Sequence, residues 1–204
     1  MADNDRHPIS IGAYTFDPLT ERPDIPSDMR ADDLPAETAY SLVQLTASPT
    51  RADRERLQSK FGLRLEAYVP ELAYVEQVSP RNRSALRQDP AVRALVSYHP
   101  AFKISPLIGT FTFRTEEGRA REGVYLRAVL FPSGDPEAVT REIEGLGASN
   151  VRPIDDRPIH GQARVEFVAA DRSIVSDIAL LADVRWVEEI PEVKDDNGNT
   201  AGTM

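Results

Sequence analysis

The chain contains no cysteine, which excludes disulfides, thiolate metal sites and thiol redox chemistry. Histidine is nearly as scarce: His7 lies at the polar start, His99 precedes Pro100, and His160 sits in a polar turn. No two of them stand at helical ligand spacing, so they read as solvated surface residues and no metal site is expected. No apolar run approaches the roughly 20 residues that a membrane-spanning helix needs. The opening Met1-Ala2-Asp3-Asn4-Asp5-Arg6-His7 lacks the basic head and apolar centre of a secretory signal, so a cytoplasmic location is expected. Basic charge is in deficit as well, with 24 Lys and Arg against 33 Asp and Glu and a net charge of −9. Such a surface argues against nucleic acid and anionic membranes as partners. It favours solubility, with a basic partner as the alternative.

What is present is enough apolar material, 41% of residues, to build a core. At 204 residues the chain can hold one ordinary domain or two small ones. Residues 1–36 carry Pro8, Pro18, Pro23 and Pro26 and read as an extended N-terminal arm. Within it, Ile9 to Phe16 is an apolar cluster able to add a strand or drape over a core.

Two similar halves follow. In the first, residues 37–100, a strand over 39–45 precedes a helix over Arg51–Phe61, opened by Pro49-Thr50 and stopped by Gly62. Alternation over Leu63–Val69 predicts a strand, Pro70-Glu71 a turn, and Ala73–Val78 its hairpin partner. A short helix over Pro80–Gln88 and a strand over Val92–Tyr98 close the unit. In the second half, residues 124–192, the strand Val124–Phe131 leads through Asp135-Pro136 to a helix ending at Gly147. Strands over Asn150–Ile154 and Gln162–Val168 flank a longer turn. Asp171 is expected to cap a helix carrying Ile174, Val175, Ile178 and Leu181, and Val184–Ile190 is the last strand.

Tyr40 aligns with Tyr125, Leu45 with Leu130 and Gly62 with Gly147, each at a separation of 85. Val75-Glu76 aligns with Val165-Glu166 at 90, and Val92-Arg93 with Val184-Arg185 at 92. The insertions fall in a turn and beside a helix, where a duplicated fold tolerates them. The expectation is therefore an α+β chain of two tandem ferredoxin-like βαββαβ units, antiparallel sheets with helices on one face. Residues 101–123 link them, and Phe111-Thr112-Phe113 is placed against one sheet. Residues 193–204 form a C-terminal tail.

Catalytic chemistry finds no support. Asp155-Asp156 reads as a polar turn, Glu188-Glu189 fall on opposite faces of a strand, and no glycine loop suited to phosphate is present. Tyr74 and Phe167 on the return strands lack the basic company of an RNA-binding sheet. No catalytic residue, metal or cofactor is expected, and the chain reads as non-enzymatic. Paired units of this topology can also bind small molecules between them.

Several stretches carry a more definite resemblance. Tyr68-Val69-Pro70-Glu71-Leu72-Ala73-Tyr74-Val75, Val92 to Ser105, Gly12 to Leu19, and Asp183 to Pro191 resemble the N-terminal prodomain of large subtilisin-like serine proteases. The closing Asn197 to Met204 is similar to the start of a mature catalytic domain of that kind. The catalytic Asp, His and Ser blocks of that family are absent, so the resemblance implies either a prosegment of a larger protein or one acting in trans. It implies an intramolecular chaperone and inhibitor whose partner is the protease catalytic domain. Pro191, Glu192, Val193, Lys194, Asp195 and Asp196 would lie in the substrate cleft by β-augmentation. Processing would fall within Asp195, Asp196, Asn197, Gly198 and Asn199. Glu166 and Glu188 would cap helix N-termini on the protease, where the dipole favours negative charge. The alternatives are a tandem small-molecule-binding regulatory module and a free-standing protease inhibitor.

Overall fold

A computed structural model describes residues 7–31 and 40–192. The protein is a mixed α+β chain with two four-stranded antiparallel sheets and one two-stranded hairpin. The hairpin pairs β1 (Ile9–Ile11) with β2 (Tyr14–Phe16). The first sheet contains β3 (Tyr40–Leu45), β4 (Tyr68–Val69), β5 (Ala73–Gln77) and β6 (Val92–Ser97), in the order β4-β5-β3-β6. Helix α1 (Arg51–Phe61) joins β3 to β4, and α2 (Arg83–Arg87) joins β5 to β6. A 3₁₀ turn (Pro100–Lys103) and α3 (Glu116–Arg119) occupy the connection to the second sheet. That sheet has β7 (Val124–Leu130), β8 (Ser149–Asp155), β9 (Ala163–Ala169) and β10 (Val184–Glu189), in the order β10-β7-β9-β8. Helix α4 (Pro136–Gly145) follows β7, the single turn α5 (Arg157–His160) joins β8 to β9, and α6 (Val175–Leu180) follows β9. In both sheets the first and third strands of the unit are central.

Local chemistry explains the helix ends. Thr50 and Asp53 form a reciprocal capping box at α1, and Asp135 accepts from the Glu137 amide at α4. Gly62 and Gly147 stop these helices in left-handed backbone, at φ +79° and +91°, which costs glycine little. Asp171 behaves differently from its expected role. Its carboxylate accepts from the Ser173 amide one turn early, and α6 starts after Ile174 with no side-chain cap.

The expected strand over Leu63–Val69 shrinks to Tyr68–Val69. The reason is Glu76, which is 7% exposed. Its carboxylate accepts from the amides of Arg64 (3.1 Å) and Leu65 (2.6 Å), and Leu65 is left-handed at φ +54°. A side chain thus takes the bonds a neighbouring strand would have made. Burial raises the Glu76 pKa against the pull of those two amides.

Three layers of core result. Helix-facing Val43, Leu45, Leu57, Phe61 and Leu86 fill one side of the first sheet. Leu126, Ala128, Val139, Ile143, Val165 and Ile178 fill the helix side of the second. The other face of the first sheet, with Leu42, Ala73 and Val75, lies under the arm residues Ile9, Ile11, Phe16, Ile25 and Met29. The arm is therefore a roof on the first sheet. Phe102, fully buried in that layer, stacks on Phe16 at 5.7 Å and meets Tyr14 edge-on at 5.5 Å.

The two units touch through several contacts. Tyr40 and Phe131 stack at 3.4 Å, the Tyr98 hydroxyl donates to the Arg185 carbonyl at 2.9 Å, and Ile104 forms a parallel bridge to Val187. Lys103, 3% exposed, donates to the Leu181 carbonyl at 2.9 Å. Burial pushes its ammonium down to about 8, against a weaker opposing pull from Asp183. The unfolded chain therefore binds more protons than the folded one between pH 8 and the ordinary lysine range, and stability rises with pH there. In urea titrations, the wild-type protein is expected to gain about 2 kcal/mol over Lys103→Met between pH 8 and 10. A pH-independent difference between the two would contradict this.

Candidate interaction site

The open face of the second sheet is built from side chains that alternate with its core. On β9, Ala163, Val165, Phe167 and Ala169 are buried, while Arg164, Glu166 and Val168 point away. Across the strands, Glu188 of β10 pairs in register with Arg127 of β7, Arg127 with Glu166 of β9, and Glu166 with Arg152 of β8. The resulting ladder of alternating charge crosses all four strands. Its ion pairs measure 3.3 Å (Arg127–Glu188), 3.1 Å (Arg127–Glu166) and 2.8 Å (Arg152–Glu166). Arg164 adds contacts to Glu166 and Asp156. Burial opposes ionisation of Glu166, but hydrogen bonds from Arg152, Arg164 and Arg127 outweigh it and hold the carboxyl below its usual range. Trp186 donates its indole N–H to Glu188 at 3.2 Å.

The equivalent row of the first sheet is chemically opposite. Leu42 pairs in register with Val96 and Val75, and the Val75 amide donates to the Ala67 carbonyl. The row Val96–Leu42–Val75–Ala67 thus stands where the second sheet has Glu188–Arg127–Glu166–Arg152. The apolar row is covered by the arm, and the ionic row is half-exposed.

This register corrects one part of the sequence alignment. Val43 pairs with Tyr74 and Ala128 with Val165, so the equivalent of Val165 is Tyr74 and that of Glu166 is Val75. The expected match of Val75-Glu76 with Val165-Glu166 is one residue off. A slip of one turns every side chain to the other face, which is why Glu76 is buried on its partner loop while Glu166 sits in the ladder. The other alignments hold. Val92 pairs with Leu45 and Val184 with Leu130, and both last strands then bulge, at Arg93 and at Arg185.

Two cavities, of 350 and 450 Å³, lie between the units, and Arg185 lines both. The larger is bounded by Tyr68 and Val69 on one side and Val129 and Trp186 on the other.

Of the expected tail, Pro191 and Glu192 lie just beyond β10. Val193, Lys194, Asp195 and Asp196, and the processing region Asp195, Asp196, Asn197, Gly198 and Asn199, lie outside the described residues. Glu192 folds back on the connection: its carboxylate accepts from the amides of Arg114 (2.9 Å) and Thr115 (3.1 Å) and from the Thr115 hydroxyl. Arg121, stacked on Phe113 and Tyr125, donates to the Ile190 carbonyl at 3.4 Å. A methyl group on Gly118 would stand 2.6 Å from the Glu192 carboxylate and 2.9 Å from the Phe113 Cβ. Gly118→Ala is therefore expected to loosen this clamp, read as faster tryptic cleavage after Lys194 at an almost unchanged unfolding midpoint. Glu166 and Glu188, expected to cap a partner's helices, are brought together on Arg127. Sequence reading picked out both but missed Arg127 and Arg152, whose signal would have been the corrected register.

Among the described residues no group of three or more His, Asp or Glu is placed to hold a metal ion, and no helix is long and apolar enough to cross a membrane. Residues 10–99 match a family described as a domain of unknown function, DUF8729. The match starts inside the arm hairpin and ends at His99, so it takes the arm and the first sheet together. No curated protein and no solved structure matches the chain.

Proposed function

We propose that each unit is a ferredoxin-like fold and that the chain is a non-catalytic prosegment of a subtilisin-like serine protease, its folding chaperone and inhibitor in cis or in trans. The order second–third–first–fourth in each sheet, with a helix after the first and third strands, supports the fold reading. The observation that carries the functional reading is the contrast between the two sheet faces. The first has an apolar row under its own arm. The second keeps an ionic row that is stable in water and open to a partner.

A face of fixed alternating charges suits the polar surface of a catalytic domain, and it steers association more than it adds affinity. The chain leaves this sheet from β10, an edge strand. Val193 to Asp196 would extend from there into the substrate cleft as an added strand. With Glu192 held by residues 114 and 115, the tail's entry angle would be set by the connection. Processing would follow between Asp195 and Asn199.

Truncation after Pro191 tests this reading. Inhibition of the protease is expected to weaken at least a hundredfold while the fold persists, and undiminished inhibition would overturn it. Replacing both Glu166 and Glu188 by Gln is expected to weaken inhibition about tenfold, since each charge at a partner's helix end contributes roughly 0.3–1 kcal/mol. Unaltered inhibition would remove the capping role. The cavities between the units favour a second reading, a small-molecule regulatory module. Such a module would be indifferent to loss of the tail.

A further inference from the structure

Arg93 and Arg185 occupy the same place in the two units. Each is the extra residue of a bulge in the last strand, next to a valine paired with the end of the first strand. Bulges re-aim a side chain and recur beside binding sites. In the first unit the purpose is visible. The Arg93 guanidinium grips Asp17 of the arm through two parallel bonds of 2.9 and 2.8 Å and reaches Gln44 at 2.7 Å. Asp17 directly follows Phe16, one of the residues that pack the arm onto the sheet. An apolar hairpin followed directly by a carboxylate thus forms part of the roof of the first unit, and arginine is its lock.

Among the described residues the second unit has the lock without a segment on it. No carboxylate among the described residues lies within ion-pair distance of the Arg185 guanidinium. Its side chain is half-buried and lines both cavities between the units, next to Val129, which replaces Gln44 in register. The walls add an exposed Tyr68 and the lone Trp186. The cleft is mixed, with Gln162 and Glu188 beside Val69, Val129 and Trp186. Among the described residues Arg185 forms no ion pair, and a guanidinium beside aromatic rings suits a strand-like peptide bearing an aspartate or glutamate after an aromatic residue.

We propose that this cleft receives an extended segment of a partner protein whose carboxylate pairs with Arg185, as Asp17 pairs with Arg93. Any protein can supply such a segment, so the test involves no protease. The probe is a synthetic peptide of residues 8–22, the arm itself, which has the required pattern Tyr14-Thr15-Phe16-Asp17. Its binding to the full chain is followed by the fluorescence of Trp186, the chain's one tryptophan. The expected result is a saturable change, weakened at least tenfold by Arg185→Gln in the protein and equally by Asp17→Asn in the peptide, with the two losses not adding. Arg185→Gln alone should leave the unfolding midpoint unchanged. Binding indifferent to Arg185→Gln would mean that the peptide exchanges with the resident arm at Arg93, and would overturn the assignment. Absence of binding would overturn it too, as would a midpoint drop for Arg185→Gln matching that of Arg93→Gln.

Discussion

Phe102→Ala is expected to destabilise the protein by about 3–5 kcal/mol, the usual cost of emptying a large aromatic site in a core. Phe102 is fully buried and meets rings from two directions: Tyr14 and Phe16 from the arm, Tyr98 and His99 from the end of the first unit. The same cluster reaches Ala179 of α6 in the second unit. One truncation therefore weakens the roof and the junction together. Urea denaturation would give the loss, and limited proteolysis of residues 17–25 would show the arm loosening first. Phe102→Leu, which refills most of the volume, should lose far less. A cost below about 1 kcal/mol for the alanine variant would mean that the arm does not pack as described.

Separating Asp17 from Arg93 is expected to be nearly as costly. The side chains are 2% and 12% exposed, and removing one partner of such a buried pair leaves the other uncompensated, at about 3–5 kcal/mol. Arg93→Gln should lie in that range, and the double change with Asp17→Asn should recover part of the loss, because no charge then remains buried alone. The Arg93 guanidinium, with the amides of Leu19 and His7, holds the Asp17 carboxyl well below its usual range despite burial. Its contribution is thus complete above the unfolded carboxyl range near pH 4 and fades as pH falls below it. The acid limb of the stability profile should flatten in Asp17→Asn. An unchanged limb would place the acid sensitivity elsewhere, Asp89 with Arg56 and Lys60 being the next such cluster.

The helices α1 and α4 were legible because Thr50, Asp135, Gly62 and Gly147 are local signals acting over one turn. The repeat was legible because Leu45 recurs as Leu130 and Val92 as Val184, with the added length confined to a turn and a helix flank, and in the folded protein Leu45 pairs with Val92 as Leu130 pairs with Val184. What stayed hidden depends on contacts distant in sequence. Nothing near Leu63 announces that Glu76 will take its neighbours' amides and end the strand early. The one-residue slip at Val75 arises because Val and Glu recur in both return strands, so identity misled where facing decides. The charge ladder needs four strands in register, and only Glu166 and Glu188 stood out beforehand, through resemblance. The arm's apolar cluster was visible, but its destination was fixed by Asp17 finding an arginine 76 residues away.

The contrast between a roofed apolar sheet and an open ionic one is the centre of the account. If the second unit meets a protease as proposed, the chain should inhibit one, so the decisive measurement is inhibition of a purified subtilisin-like catalytic domain by this chain. It should be followed for hours, with the C-terminus weighed by mass spectrometry. Tight inhibition with slow trimming between Asp195 and Asn199 is the predicted result. A folded chain that neither inhibits nor is trimmed, even by a catalytic domain from its own source, would contradict it.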